Sequence, residues 1–157
     1  MIKIADLITP ERIACDIQVT SKKRGLELLS DMVADSDSAL PANAIFDKLI
    51  SREKLGSTGL GHGVALPHAR MDGNDSATAA FIRTSEAIDF DAFDNEPVDL
   101  LFALVVPEHF TDEHLQILAR LAEMFSDQPL CRRLRDARDA DAVYELLRDW
   151  EATQGST

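Results

Sequence analysis

With 157 residues, the chain has the length of one domain, able to take roughly 68–70% of its unfolded surface out of water. Hydrophobic residues at 45% and charged residues at 28% describe an ordinary globular protein rather than a disordered or membrane chain. A net charge of −12 argues against nucleic acid, whose phosphates need clustered Lys and Arg, and suits a basic protein partner.

The start of the chain has no apolar run ending in small residues, so no signal peptide is read there. Ile13, Cys15, Ile17 and Val19 then alternate with more polar positions, the period of a half-buried strand. Ser21 is placed to cap a helix with a buried stripe of Leu26, Leu29, Met32 and Val33. Pro41, at a first helical position, opens a second helix through Ile45, Leu49 and Ile50 to about residue 54. The stretch from Gly56 to Gly63 carries four glycines and is expected to be a shaped loop. Apolar runs at 64–66, 79–82 and 100–106 read as strands, the last a central one covered on both faces. That run, even extended to 98–107, is interrupted by Asp99 and is far short of the ~20 residues of a membrane span. Ile88, Phe90 and Phe93, with a turn at Asp94-Asn95, suggest an antiparallel pair leading into it. Beyond Pro107 the period becomes helical. Thr111 is the expected N-cap of a helix with a stripe of Leu115, Leu118, Ala122 and Phe125, and shorter helices follow near 129–135 and 139–150. The reading is a single α/β domain over residues 1–150, a mixed sheet between helices, with a flexible tail over 151–157. Cys15 and Cys131, in no CxxC pair, read as small buried hydrophobes, and the cytoplasm is the expected location.

The chemistry concentrates between Arg52 and Arg70. Converging amides of a glycine-rich loop bind anions, so Gly59, Gly61 and Gly63, with the hydroxyls of Ser57 and Thr58, are candidate phosphate ligands. Arg52 offers a planar charged fork for phosphate oxygens. A P-loop is excluded because His62-Gly63 stands where Lys-Ser/Thr is required, and a Rossmann loop because no helix follows. His68 follows Pro67, whose fixed φ delivers the imidazole to a defined place beside the loop. A neutral imidazole attacks a phosphoryl group directly when its other nitrogen is held by an acceptor, and transfer between two imidazoles needs no general base. His114, at the third position of its helix, is placed to hydrogen-bond the phosphoryl group or hold His68 in line. The four histidines share no ligand spacing, so neither a metal nor another cofactor is expected.

The segment Arg52-Glu53-Lys54-Leu55-Gly56-Ser57-Thr58-Gly59, continuing through Val64-Ala65-Leu66-Pro67-His68, resembles the signature of the type-2 IIA proteins of the bacterial phosphotransferase system. Within this mannitol/fructose class it is most similar to the nitrogen-regulatory branch. Ser21-Lys22-Lys23-Arg24, the run from Phe90 to Leu104, and Cys131-Arg132-Arg133-Leu134 extend the likeness over most of the chain. The resemblance implies a five-stranded mixed sheet with helices on both faces. It also implies that His68 is the phosphoacceptor, that His114 is the second active-site histidine, and that Arg52 is the active-site arginine. The implied donor is an HPr-like carrier charged by an Enzyme I relative from phosphoenolpyruvate. The implied output is regulation of partner proteins, such as potassium-transport or sensor proteins, by phosphorylation state. His62, where asparagine is common, and Ala69, where glycine is usual, depart from the pattern.

Plainer readings stand beside these. Ser57 and Thr58 also suit a turn, Arg52 a solvated helix end, and His114 an ordinary helix position. His62 reads as an exposed loop residue, and Arg132, Arg133, Arg135 and Arg138 as a solvated helical face. Three other functions compete. One is a sugar-specific IIA feeding a permease through a IIB module; another is an interaction module that is never phosphorylated. The third, a hydrolase built on Ser57, lacks an orienting carboxylate.

Overall fold

The computed structural model describes residues 3–35, 40–73 and 76–155. Its centre is the most apolar run of the sequence, β6 (Val98–Pro107). Leu100, Phe102, Leu104 and Val106 enter one hydrophobic cluster, and Leu101, Ala103 and Val105 enter a second on the opposite face. A strand without a polar face can only sit between two layers, and its continuous hydrophobicity is the signature of that position. Antiparallel to it runs β5 (Thr78–Ile88), with Phe81 opposite Phe102. Parallel to β5, at the sheet edge, lies β1 (Ile13–Ile17), whose ladder shifts register between Ala14 and Ile17 around the positive φ of Asp16. Cys15 on this strand is half-buried rather than buried as expected, whereas Cys131 is fully enclosed.

The other side of β6 takes three short strands, β2 (Gly59–Gly61), β3 (Val64–Ala65) and β4 (His68–Met71). β3 and β4 both run parallel to β6, at Val64↔Leu100 and His68↔Leu104, and are separated by Leu66-Pro67. Proline has no N–H for the ladder, so the pairing breaks there and resumes at His68. β2 and β3 form a tight hairpin, so the segment expected as an irregular loop is partly strand. Gly61, His62 and Gly63 turn it with positive φ values of 91, 57 and 83°. A two-residue hairpin turn with positive φ throughout matches the twist of its strands and favours Asn-Gly, and here His62 takes its first position. Among the described residues the sheet thus has six strands, in the order β1-β5-β6-β3-β2 with β4 also on β6, one more than the resemblance implied.

On one face of the sheet pack α1 (Lys22–Ala34) and α2 (Ala42–Leu55), burying Leu26, Leu29, Val33, Ile45 and Leu49. Ser21 caps α1 by accepting the Arg24 amide at 3.2 Å, as its sequence position predicts. The opposite face is covered by α3 (Asp112–Phe125), α4 (Gln128–Asp136) and α5 (Ala140–Gly155). Thr111 stands at the start of α3 but makes no side-chain cap, because its own φ and ψ are already helical and capping needs an extended residue. Residues 151–155, expected as tail, continue α5. Glu151 is buried and accepts the amides of Ile4 at 2.8 Å and Ala5 at 3.0 Å, which ties the end of the helix to the beginning of the chain. Residues 156 and 157 lie outside the described residues. Among the described residues no helix is long and apolar enough to cross a membrane.

Candidate functional site

Pro67 places His68 at the first position of β4, and the break it causes leaves the Leu66 carbonyl outside the β3 and β4 pairings with β6. That carbonyl lies 2.7 Å from His68 Nδ1. A carbonyl oxygen only accepts, so Nδ1 carries the proton and Nε2 keeps its lone pair. Burial is the main influence holding the His68 pKa below the usual histidine value. Arg52 adds to it, while the Leu66 hydrogen bond and Glu53 oppose it. The imidazole is therefore neutral at pH 7, with a defined nucleophilic nitrogen.

The structure brings His114 to this ring. The two imidazole centroids are 5.6 Å apart with planes inclined by 50°. His114 occupies the third position of α3 and is 9% exposed, and its Nδ1 is shut from solvent without a hydrogen-bond partner among the described residues. Burial, then the adjacent His68, then Arg70 push its pKa down to about 4. An unpartnered lone pair costs less than an unpartnered N–H, so the neutral tautomer with the proton on Nε2 is favoured. Arg52, in the last turn of α2, donates to the Gly56 carbonyl at 3.0 Å and lines two cavities with His68, of about 590 and 350 Å³. The exposed side chains of Leu55 and Leu115 stand on the rim of the larger.

The glycine segment does not present the expected row of free donors. Ser57 donates its hydroxyl to the Phe90 carbonyl and accepts the Gly59 amide. Thr58 gives both its amide and its hydroxyl to the carboxylate of Glu53. Ser57, Thr58 and Gly59 still line the smaller cavity beside His68, but their polar hydrogens hold the segment in shape. Gly61 and Gly63 lie at the hairpin turn and border neither cavity. A side chain on Gly63 would meet the Arg135 guanidinium at 2.6 Å, and one on Gly59 would meet Ala92 Cβ at 2.7 Å. These glycines serve close packing, which a glycine count in sequence does not distinguish from anion binding.

Three supporting residues were not legible in sequence. Glu53, buried in the last turn of α2, joins Thr58 to Lys22 Nζ at 3.0 Å and so fixes α1, α2 and the glycine segment together. Arg83 donates to the carbonyls of Leu134 and Ala137, closing the end of α4, and pairs with Asp16. Arg135, expected on a solvated face, grips both oxygens of Asp99 and the His62 carbonyl, the latter at 2.7 Å. His62 itself is exposed, as expected, with its amide bonded to Asp94. Arg132 and Arg133 remain exposed on α4 and Arg138 just beyond it.

A mixed sheet covered on both faces thus sets a tautomer-fixed histidine, at the proline break, against a second neutral histidine. Residues 6–150 match the family described as the phosphoenolpyruvate-dependent sugar phosphotransferase system, EIIA 2, and the chain belongs to that family. It is 43% identical over 149 residues to the nitrogen regulatory protein of Pseudomonas aeruginosa, covering 95% of this chain and 97% of that one. The nitrogen regulatory protein of Escherichia coli strain K12 is 39% identical over 153 residues, covering 97% and 93%. The crystal structure of nitrogen regulatory protein IIA-Ntr from Neisseria meningitidis superposes with a TM-score of 0.88 at 44% identity, over 92% of this chain and 98% of that one.

Proposed function

We propose that this chain is the phosphocarrier of a nitrogen-related phosphotransferase branch, accepting a phosphoryl group on His68 Nε2 from the phosphohistidine of an HPr-like donor. The observation that carries the reading is the 2.7 Å bond from His68 Nδ1–H to the Leu66 carbonyl, which aims an uncharged nitrogen into a cavity shared with Arg52 and His114. The Nε2 lone pair forms the new N–P bond as the donor's N–P bond breaks, and the leaving electron pair stays on the donor imidazole. No proton moves, so positioning and charge stabilisation suffice. Arg52 receives phosphoryl oxygens, and a neutral His114 donates Nε2–H to one of them. Exposed Leu55 and Leu115 offer an apolar rim for the docking donor.

The output follows from likeness to the nitrogen regulatory proteins. Phosphorylation adds negative charge beside Arg52 and alters contacts with regulated partners in the cytoplasm, among them potassium-transport or sensor proteins. Incubation with phosphoenolpyruvate, an Enzyme I relative and an HPr relative, followed by intact mass measurement, tests the reading. One acid-labile phosphate that is lost in His68→Ala is expected; a phosphate that persists in that variant, or none at all, defeats it. Efficient onward transfer to a purified IIB module would instead favour a sugar-specific role.

A further inference from the structure

Because the hydroxyls of Ser57 and Thr58 and the amides of Thr58 and Gly59 are already engaged, charge to meet a phosphoryl group on His68 is to be sought elsewhere around the cavity. The cavity of about 590 Å³ shared by His68 and His114 carries Lys48, Arg52 and Arg70 against Glu108, a cationic wall on a chain of net charge −12. Arg70 is two residues beyond His68 on β4. Strand alternation sets both side chains on one face, about 6.6 Å apart along the strand, while Ala69 and Met71 between and beyond them are buried in the opposite cluster. Pairing with β6 through Arg70↔Val106 fixes this placement.

Arg70 is exposed, and it forms no ion pair with a carboxylate among the described residues. Its field acts on His114, whereas the field of Arg52 acts on His68. Arg52 from α2 and Arg70 from β4 thus line one cavity with both histidines. We infer that Arg70 contacts the phosphoryl oxygens of phospho-His68 opposite Arg52, so that two planar cations from β4 and α2 clamp the transferred group. This assignment deepens the phosphocarrier reading and rests on it. A phosphoryl group carrying about −1.5 to −2 charges has oxygens for both forks, and a guanidinium binds two of them at once.

Phosphoramidate tests the clamp without a protein donor, since it delivers its phosphoryl group to a histidine nitrogen as ammonia leaves. Wild type, Arg70→Ala, Arg70→Lys and Arg52→Ala would be treated with it, with His68→Ala as the site control. Mass spectrometry follows the rate, and 31P resonances follow the phosphohistidine ionisation. Arg70→Ala should slow phosphorylation about tenfold, as one lost charged contact would, with Arg70→Lys between it and wild type. The pH at which the phospho-His68 resonance titrates should rise in Arg70→Ala, a change that a merely structural residue would not cause. Rates within twofold of wild type and an unmoved titration overturn the role of Arg70 alone. Phosphate on wild type that is equally present in His68→Ala overturns the phosphocarrier reading and this inference with it.

Discussion

At His68 one proline sets the geometry of the ring. Pro67 removes a ladder donor, the ladder gap frees the Leu66 carbonyl, and that carbonyl accepts the Nδ1–H, which keeps the proton on Nδ1 and leaves the lone pair on Nε2. Arg52→Ala removes a cation that lowers the His68 pKa, so NMR titration of the ring should give a value moved upward toward that of an ordinary histidine. Acceptance of phosphate by wild type should accordingly persist below pH 6.5. His114 has a folded pKa of about 4 against an ordinary 6.5. The unfolded chain therefore binds more protons between these values, and this contribution to stability, up to about 3 kcal/mol, is full above pH 6.5 and lost as pH falls toward 4. Urea unfolding of wild type and His114→Leu at pH 4.5, 5.5 and 7 should show the steeper loss in wild type. Transfer from the donor should slow in His114→Ala while the fold persists.

Among the elements, α2 and the glycine segment form the unit that presents the site. Glu53 closes α2 onto Thr58 and holds Lys22 of α1, and Lys22 also reaches the Phe90 carbonyl and ring. Glu53→Ala leaves a half-buried ammonium and two donors of Thr58 without their acceptor, and should cost about 3–5 kcal/mol in chemical denaturation. Gly59→Ala forces a new Cβ against the backbone-anchored Cβ of Ala92 and should lower the denaturation midpoint as well as the phosphorylation rate. The helices and strands around this unit were largely legible, because buried residues recur at 3.6 along α1 and alternate faces along β6. The β2–β3 hairpin was not, since four glycines suppress both periodic signals and the pairing is decided by contact with β6.

Across the whole molecule, Phe102 is fully buried between two aromatic neighbours, with its ring 6.5 Å from Phe81 and 5.7 Å from Phe125. Phe102→Ala should destabilise by about 3–5 kcal/mol, a large part of the total for a domain of this size. The two ends of the chain are joined through Glu151, which takes the Ile4 and Ala5 amides while Tyr144 donates its hydroxyl to the Ala5 carbonyl. Glu151→Ala strands those amides and should cost about 2–4 kcal/mol by urea titration, whereas a residue in a frayed tail would cost nothing.

The sequence by itself determined the layers of the fold, the central strand and the phosphoacceptor candidate, because periodicity and a proline before a histidine act over a few neighbouring residues. Only the tertiary structure decided which polar groups meet. Arg135 with Asp99, Glu53 with Lys22, and Glu151 with Ile4 join positions 31 to 147 residues apart, and such pairs leave no periodic trace. It also decided that the hydroxyls of Ser57 and Thr58 serve the loop while Arg52 and Arg70 line one cavity with His68 and His114. A donor's partner is fixed by where the chain folds it, and not by its type.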